Sequence, residues 1–159
     1  EKFKNGKSIG EEYYFFMGEA HTITGLHTEV TQTLTIQVEG KKKWVLFAPQ
    51  ERFFFNPVAN RMNHFLSHIN PDNPDLNEFP IYKYVKRYEI ILEPGDALWF
   101  PAYYWHYVEN LTPSIGIAYK HLNLRNSFEQ SKLLTALFFL RTKPTVINPF
   151  AALLRKFKN

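Results

Sequence analysis

The chain has 159 residues, a formal charge of +4 at neutral pH and no cysteine. That length suits one domain with a real core, while the lack of thiols excludes a disulfide scaffold or thiolate metal site and fits a cytoplasmic or other reducing compartment. The lysines fall in short clusters, so a nucleic-acid partner is not indicated, and no apolar run reaches the about 18 residues that a membrane span needs.

Aromatic residues make up 17% of the chain, with 15 Phe, 9 Tyr and 3 Trp, which favours a strand-rich packed fold. The first predicted element is the aromatic strand "EEYYFFMG" at 11–18. Next comes "TGLHTEVTQTLTIQVEGKKKW" at 24–44, where polar and apolar residues alternate with the period of a strand. Carried backwards without a bulge, that parity puts His27, Glu29, Thr31, Thr33, Thr35 and Gln37 on one face. A polar face headed by an imidazole and a carboxylate suits a ligand-filled cavity better than a core. A turn at Glu39-Gly40 leads into "KKWVLFAP" at 42–49, a second strand. Residues 56–80 are rich in Asn, Pro and Asp and read as a long loop or lid. "RYEIILEPGDALWFPAYYWHYVEN" gives three short strands broken at Pro94-Gly95-Asp96 and Pro101, and "SIGIAYKHL" at 114–122 gives another. Helical text starts only from Asn126, in "SFEQSKLLTALFFL" and "NPFAALLRKF". Short strands followed by helices predict a mainly β sandwich or small barrel over 1–125, with a helical extension over 126–159.

Residues two apart on a strand share a face, so His27 and Glu29 can meet one cation, and a third ligand must come from elsewhere. His106, set among aromatics after the Pro-Gly-Asp turn, is the candidate, because an imidazole buried there needs a polar partner. Two histidines and one carboxylate form the facial set that holds Fe(II) and leaves positions open for substrate and O2.

The stretches "MGEAHTITGLHTEVTQTLTIQVEGKKKWVLFAP" and "LEPGDALWFPAYYWHYVENL" resemble the JmjC, cupin-like family of Fe(II)- and 2-oxoglutarate-dependent oxygenases, nearest the branch that contains the asparaginyl hydroxylase of hypoxia-inducible factor. The resemblance spans about residues 11–122. It implies a double-stranded β-helix, or jelly roll, with the metal at its mouth. It makes His27, Glu29 and His106 the iron ligands, and Thr24 and Lys42 the partners of the distal 2-oxoglutarate carboxylate. Lys120 stands where that branch often has an asparagine beside the cofactor, and Tyr13 is a candidate for the upstream aromatic contact. The acidic ligand is Glu where the hydroxylases usually have Asp. The implied activity is a dioxygenase hydroxylating or demethylating a C–H bond, most simply on a polypeptide side chain, with Fe(II), 2-oxoglutarate and O2.

Each assignment has a plainer rival. His27 and Glu29 could be a surface ion pair, His106 a satisfied core histidine and Thr24 a turn residue. Strand parity does not choose among Lys41, Lys42 and Lys43; only the resemblance selects Lys42. His21, His64 and His68 read as loop or surface residues, and Trp99 and Trp105 as core. Two other function classes compete: a metal-binding cupin enzyme that does not use 2-oxoglutarate, and a non-catalytic binding module on the same fold. The segment "LLTALFFL" is apolar nearly all round and needs cover from two directions. A homodimer through the C-terminal helices would supply that cover; the plainer rival is that both helices pack on the outer face of their own barrel.

Overall fold

A computed structural model describes residues 10–59 and 64–141. Its strands are β1 (Gly10–Gly18), β2 (Ile23–Thr28), β3 (Gln32–Glu39), β4 (Lys42–Phe47), β5 (Val58–Ala59), β6 (Phe65–Leu66), β7 (Tyr88–Leu92), β8 (Ala97–Phe100), β9 (Trp105–Asn110) and β10 (Ser114–Leu122). They form two antiparallel sheets, one of four strands in the order β1-β10-β3-β8 and one of six in the order β5-β6-β2-β9-β4-β7. This is the mainly β, two-sheet fold that the strand pattern predicts, in the jelly-roll form that the family resemblance implies. Two helices follow, α1 (Leu124–Gln130) and α2 (Lys132–Arg141).

The strand expected to run unbroken through 27–38 is two strands in different sheets. β2 stops at Thr28, a bend at Val30 and Thr31 turns the chain, and β3 enters the other sheet at Gln32. The polar parity survives the break because the two sheets present their inner faces to each other. Gly40 makes the next reversal at φ 71°, and a Cβ there would lie 2.1 Å from the Pro113 carbonyl oxygen. Only glycine fits that turn without strain.

Directly opposed residues of an antiparallel ladder share a face. The β1–β10–β3–β8 register therefore sets Tyr14, Phe16, Lys120, Ala118, Gly116, Thr33, Thr35, Gln37, Leu98 and Phe100 inward. The other parity sets Tyr13, Phe15, Met17, Ile117 and Ile36 outward, all of them exposed. In β3 the amphipathic pattern is thus inverted: Thr33, Thr35 and Gln37 are buried, while Ile36 and Val38 face out.

Two apolar clusters hold the barrel. The larger lies on the outer face of the six-stranded sheet, where Leu26, Val45, Phe47, Trp105 and Tyr107 pack with Phe55, Phe65, Ile69, Tyr82 and Leu134. The smaller, Trp44, Leu46, Leu92, Phe100 and Val108, fills one end of the interior. Residues 56–80, expected as loop, contain β5 and β6, and the segment runs into a 3-10 turn at Pro80–Tyr84. Asp72 ties this segment to the sheet, accepting from Lys43 at 2.8 Å and Arg87 at 2.9 Å.

Asn123 caps α1 by accepting from the Asn126 amide, and Ser127 donates to the Val30 carbonyl. Leu134 and Thr135 of α2 are buried and Leu133 is exposed, so α2 lies on its own barrel by one stripe. The lone polar residue of the apolar segment is on the covered side, where Thr135 donates to the Ser131 carbonyl. The second tail helix expected over 148–157, and the dimer contact that needs both helices, lie outside the described residues. Among those residues, no helix is long and apolar enough to cross a membrane.

Candidate metal centre

His27 and His106 sit opposite each other on β2 and β9, with ring centroids 4.0 Å apart. Both are buried. The Nδ1 of His27 lies 2.8 Å from the Gly25 carbonyl oxygen, and that of His106 lies 3.1 Å from the Tyr104 carbonyl oxygen. A carbonyl only accepts, so each Nδ1 carries the proton and each Nε2 presents a free lone pair. Burial holds both imidazoles below their ordinary pKa, His106 well below, although the backbone carbonyls and Glu29 oppose the shift. Neutral rings with oriented Nε2 atoms are the form in which histidine binds a metal.

Glu29 follows β2 at the crossing between sheets, 6% exposed. Its Oε1 is 3.8 Å from His27 Nε2 and 3.2 Å from His64 Nε2. Lys120 Nζ lies 2.5 Å from each carboxylate oxygen. Burial alone would raise the Glu29 pKa, but the Lys120 ammonium, with His106 and His27, pulls it down to about 2. Among the described residues, no three His, Cys, Asp or Glu side chains stand arranged as they are to hold an ion. The carboxylate is turned to Lys120. The chemistry of the donor set nonetheless fits a divalent ion: two neutral imidazoles and one ionised carboxylate, all buried.

A tight turn supports these groups. Tyr103 takes a positive φ of 61°, uncommon for a residue with a side chain. Its amide donates to the Glu29 carbonyl at 2.8 Å, while the next carbonyl, that of Tyr104, accepts from His106. One strained turn thus sets the main chain at one candidate ligand and the ring of another. Phe100 and Trp44 pack on the His106 ring at centroid distances of 5.0 and 6.0 Å.

The lysine choice that parity left open has a structural answer. Lys41 is exposed and pairs with Glu93, and Lys43 pairs with Asp72 and Glu109. Lys42 alone is buried, 7% exposed, opposite Asn110 on the inner face. It makes no ion pair among the described residues, and burial lowers its pKa. A Cβ on Gly116 would come 3.4 Å from Lys42 Nζ, so glycine leaves room beside the ammonium. Thr24 joins the same face through Val108 and Trp44, because a register shift in β2 brings Thr24 and His27 to one side although they are three apart. Thr24 is exposed.

Tyr13 is not brought to this site. It lies on the outer face, 73% exposed, with its ring 5.0 Å from Tyr119. Tyr14 takes the inward position, with Lys120 Nζ 4.7 Å from its ring centroid. Lys120 does reach the site, at Glu29. Sequence reasoning missed two residues. Tyr14 was hidden in a run of four aromatics that gives no parity cue. His64, read as a loop residue, contacts Glu29, and nothing in its Asn- and Pro-rich surroundings signalled it.

A family model described as a cupin-like domain matches residues 3–124. The chain belongs to the JmjC/cupin-like family. Human HSPB1-associated protein 1 is 35% identical over 107 residues, covering 65% of this chain and 22% of that protein. Human tRNA wybutosine-synthesizing protein 5 is 38% identical over 98 residues, or 60% of this chain and 30% of the relative. Lysine-specific demethylase 8 of Danio rerio is 31% identical over 104 residues, or 65% and 26%. This JmjC/cupin-like chain therefore matches between 22% and 30% of the length of these relatives.

Proposed function

We propose that this JmjC/cupin-like domain is an Fe(II)- and 2-oxoglutarate-dependent oxygenase acting on a C–H bond of a polypeptide side chain. The observation that carries the reading is the pairing of two features in one interior: oriented, neutral His27 and His106 beside the buried Glu29, and a buried Lys42 that has no carboxylate partner among the described residues. The first suits a metal with open positions. The second suits a dicarboxylate, because a buried ammonium needs an anionic partner.

In this reading His27, Glu29 and His106 hold the metal, and Lys42 with Thr24 orients the distal carboxylate of the cosubstrate. Bound iron with 2-oxoglutarate and O2 supplies the oxidising power; the chain supplies position and dryness. Trp44, Leu46, Phe100 and Val108 wall the interior at the His106 end and keep water out. Tyr14 and Phe16, half-exposed and stacked at 5.8 Å, flank the open side where a substrate side chain would enter.

Melting curves with Mn(II) and N-oxalylglycine, an inert analogue of the cosubstrate, test this reading. A ligand at a hundredfold excess over its Kd stabilises the native state by about 2.7 kcal/mol, and the two together should exceed Mn(II) alone by about that amount. Stabilisation by Mn(II) with nothing added by the analogue would leave a metal-binding cupin of other chemistry. No response to either would leave a binding module. For the substrate, the relative named for a tRNA-modifying role favours one rival; oxidation of tRNA but of no peptide would replace the polypeptide assignment.

A further inference from the structure

Both oxygens of Glu29 are already taken by a cation of the chain itself. Lys120 Nζ is 2.5 Å from each, its side chain only 13% exposed. It projects from β10, opposite Thr33 of β3, so it reaches across the interior from the sheet that faces β2. His64 Nε2 adds a second contact to Oε1 at 3.2 Å. Thr31 Oγ1 donates to Oε2 at 3.3 Å, so the carboxylate is ion-paired through both oxygens and hydrogen-bonded besides.

We propose that Lys120 is an internal counter-cation that holds Glu29 in the metal-free protein and has to be displaced when the ion enters. The inference rests on the metal-centre reading above and adds a competitor to it. A lone buried carboxylate would be strongly unfavourable, so the lysine keeps the empty site folded. A divalent ion at the same oxygens repels the ammonium and replaces it. Lysine can yield because it is a point charge on a flexible stem, and the Tyr14 ring, 4.7 Å away, offers the displaced ammonium a cation–π seat. Apparent affinity is reduced to the intrinsic affinity multiplied by the fraction of molecules in which the carboxylate is free.

The test is Mn(II) affinity of the whole chain, read as free Mn(II) by paramagnetic resonance, in Lys120→Met, Lys120→Arg and Lys42→Met. If the carboxylate is free in about a tenth of molecules or fewer, Lys120→Met should bind Mn(II) at least about tenfold more tightly, since apparent affinity scales with the competent fraction. Lys42→Met removes an inner charge that makes no ion pair with Glu29, and so measures the general effect of charge; Lys120→Met must exceed it. Lys120→Arg, whose fork grips a carboxylate at two points, should bind more weakly than the unmodified chain. The metal-free Lys120→Met protein should melt lower, and recover more on Mn(II) addition. A Lys120→Met gain no larger than that of Lys42→Met overturns the proposal and leaves the metal centre standing. Should Lys120→Met fail to fold, unchanged affinity in Lys120→Arg overturns it. Absence of Mn(II) binding in the unmodified chain overturns both.

Discussion

His106→Ala should lose Mn(II) or Fe(II) binding and all turnover while the domain stays folded. The ring is a buried neutral base, its Nδ1 proton fixed by the Tyr104 carbonyl and its Nε2 free. Changes to the groups that merely orient a metal ligand typically cost 10–100-fold in affinity, so loss of the ligand itself should cost more than about 100-fold. The truncation leaves a space among Trp44, Phe100 and His27, but the larger apolar cluster lies on the other face of this sheet and is untouched. His27→Ala should behave in the same way. Anaerobic metal titration beside a circular-dichroism melt separates the two effects. Unchanged affinity in a folded variant would remove that histidine from the ligand set.

Lys42→Met should do two opposite things, and the opposition is the informative part. Without cosubstrate, the variant should melt higher than the unmodified chain, because a buried ammonium with no ion-pair partner among the described residues is exchanged for an apolar side chain of similar length. With the metal present, 2-oxoglutarate should bind far less well. Removing one partner of a buried pair costs about 3–5 kcal/mol, which at about 1.4 kcal/mol per decade is roughly two to three and a half orders of magnitude in the cosubstrate constant. Lys41→Met and Lys43→Met are the controls, since those lysines already have Glu93, and Asp72 with Glu109. A small change at Lys42, or a large one at either neighbour, would move the carboxylate site away from the interior.

How much of this was legible depended on whether local pattern and global placement coincided. The mainly β class could be read because period-2 alternation and Pro-Gly-Asp punctuation are local, and β7, β8 and β9 fall where those signals put them; the jelly-roll arrangement came only from the family resemblance. Strand spacing linked His27 with Glu29, and the aromatic surroundings singled out His106; the structure sets the two imidazole centroids 4.0 Å apart, while only the resemblance made the three one ligand set. The break between β2 and β3 could not be read, since Glu29, Val30 and Thr31 include no glycine or proline to mark the bend. Nor could parity choose among three lysines, whose distinction arises only when β4 is laid beside β9. Tyr13 and Tyr14 differ by one residue and by a whole face. Such a slip is invisible in a run of aromatics until β10 fixes the register. His64 reached Glu29 through the pairing of β6 with β2, a contact between distant segments that no window of sequence contains.

The packing of Trp44 on His106, at 6.0 Å and 26° between ring planes, gives the protein an optical reporter of its own. Of the three tryptophans, Trp105 is fully buried in the outer cluster and Trp99 lies on the outward parity of β8, so Trp44 is the indole that shares the interior with the candidate ligands. A paramagnetic ion held by His106 would sit close enough to quench its emission, and a Trp44→Phe variant would keep the other two as a silent background. Filling of the centre could then be followed by intrinsic fluorescence in real time, with no dye and no substrate.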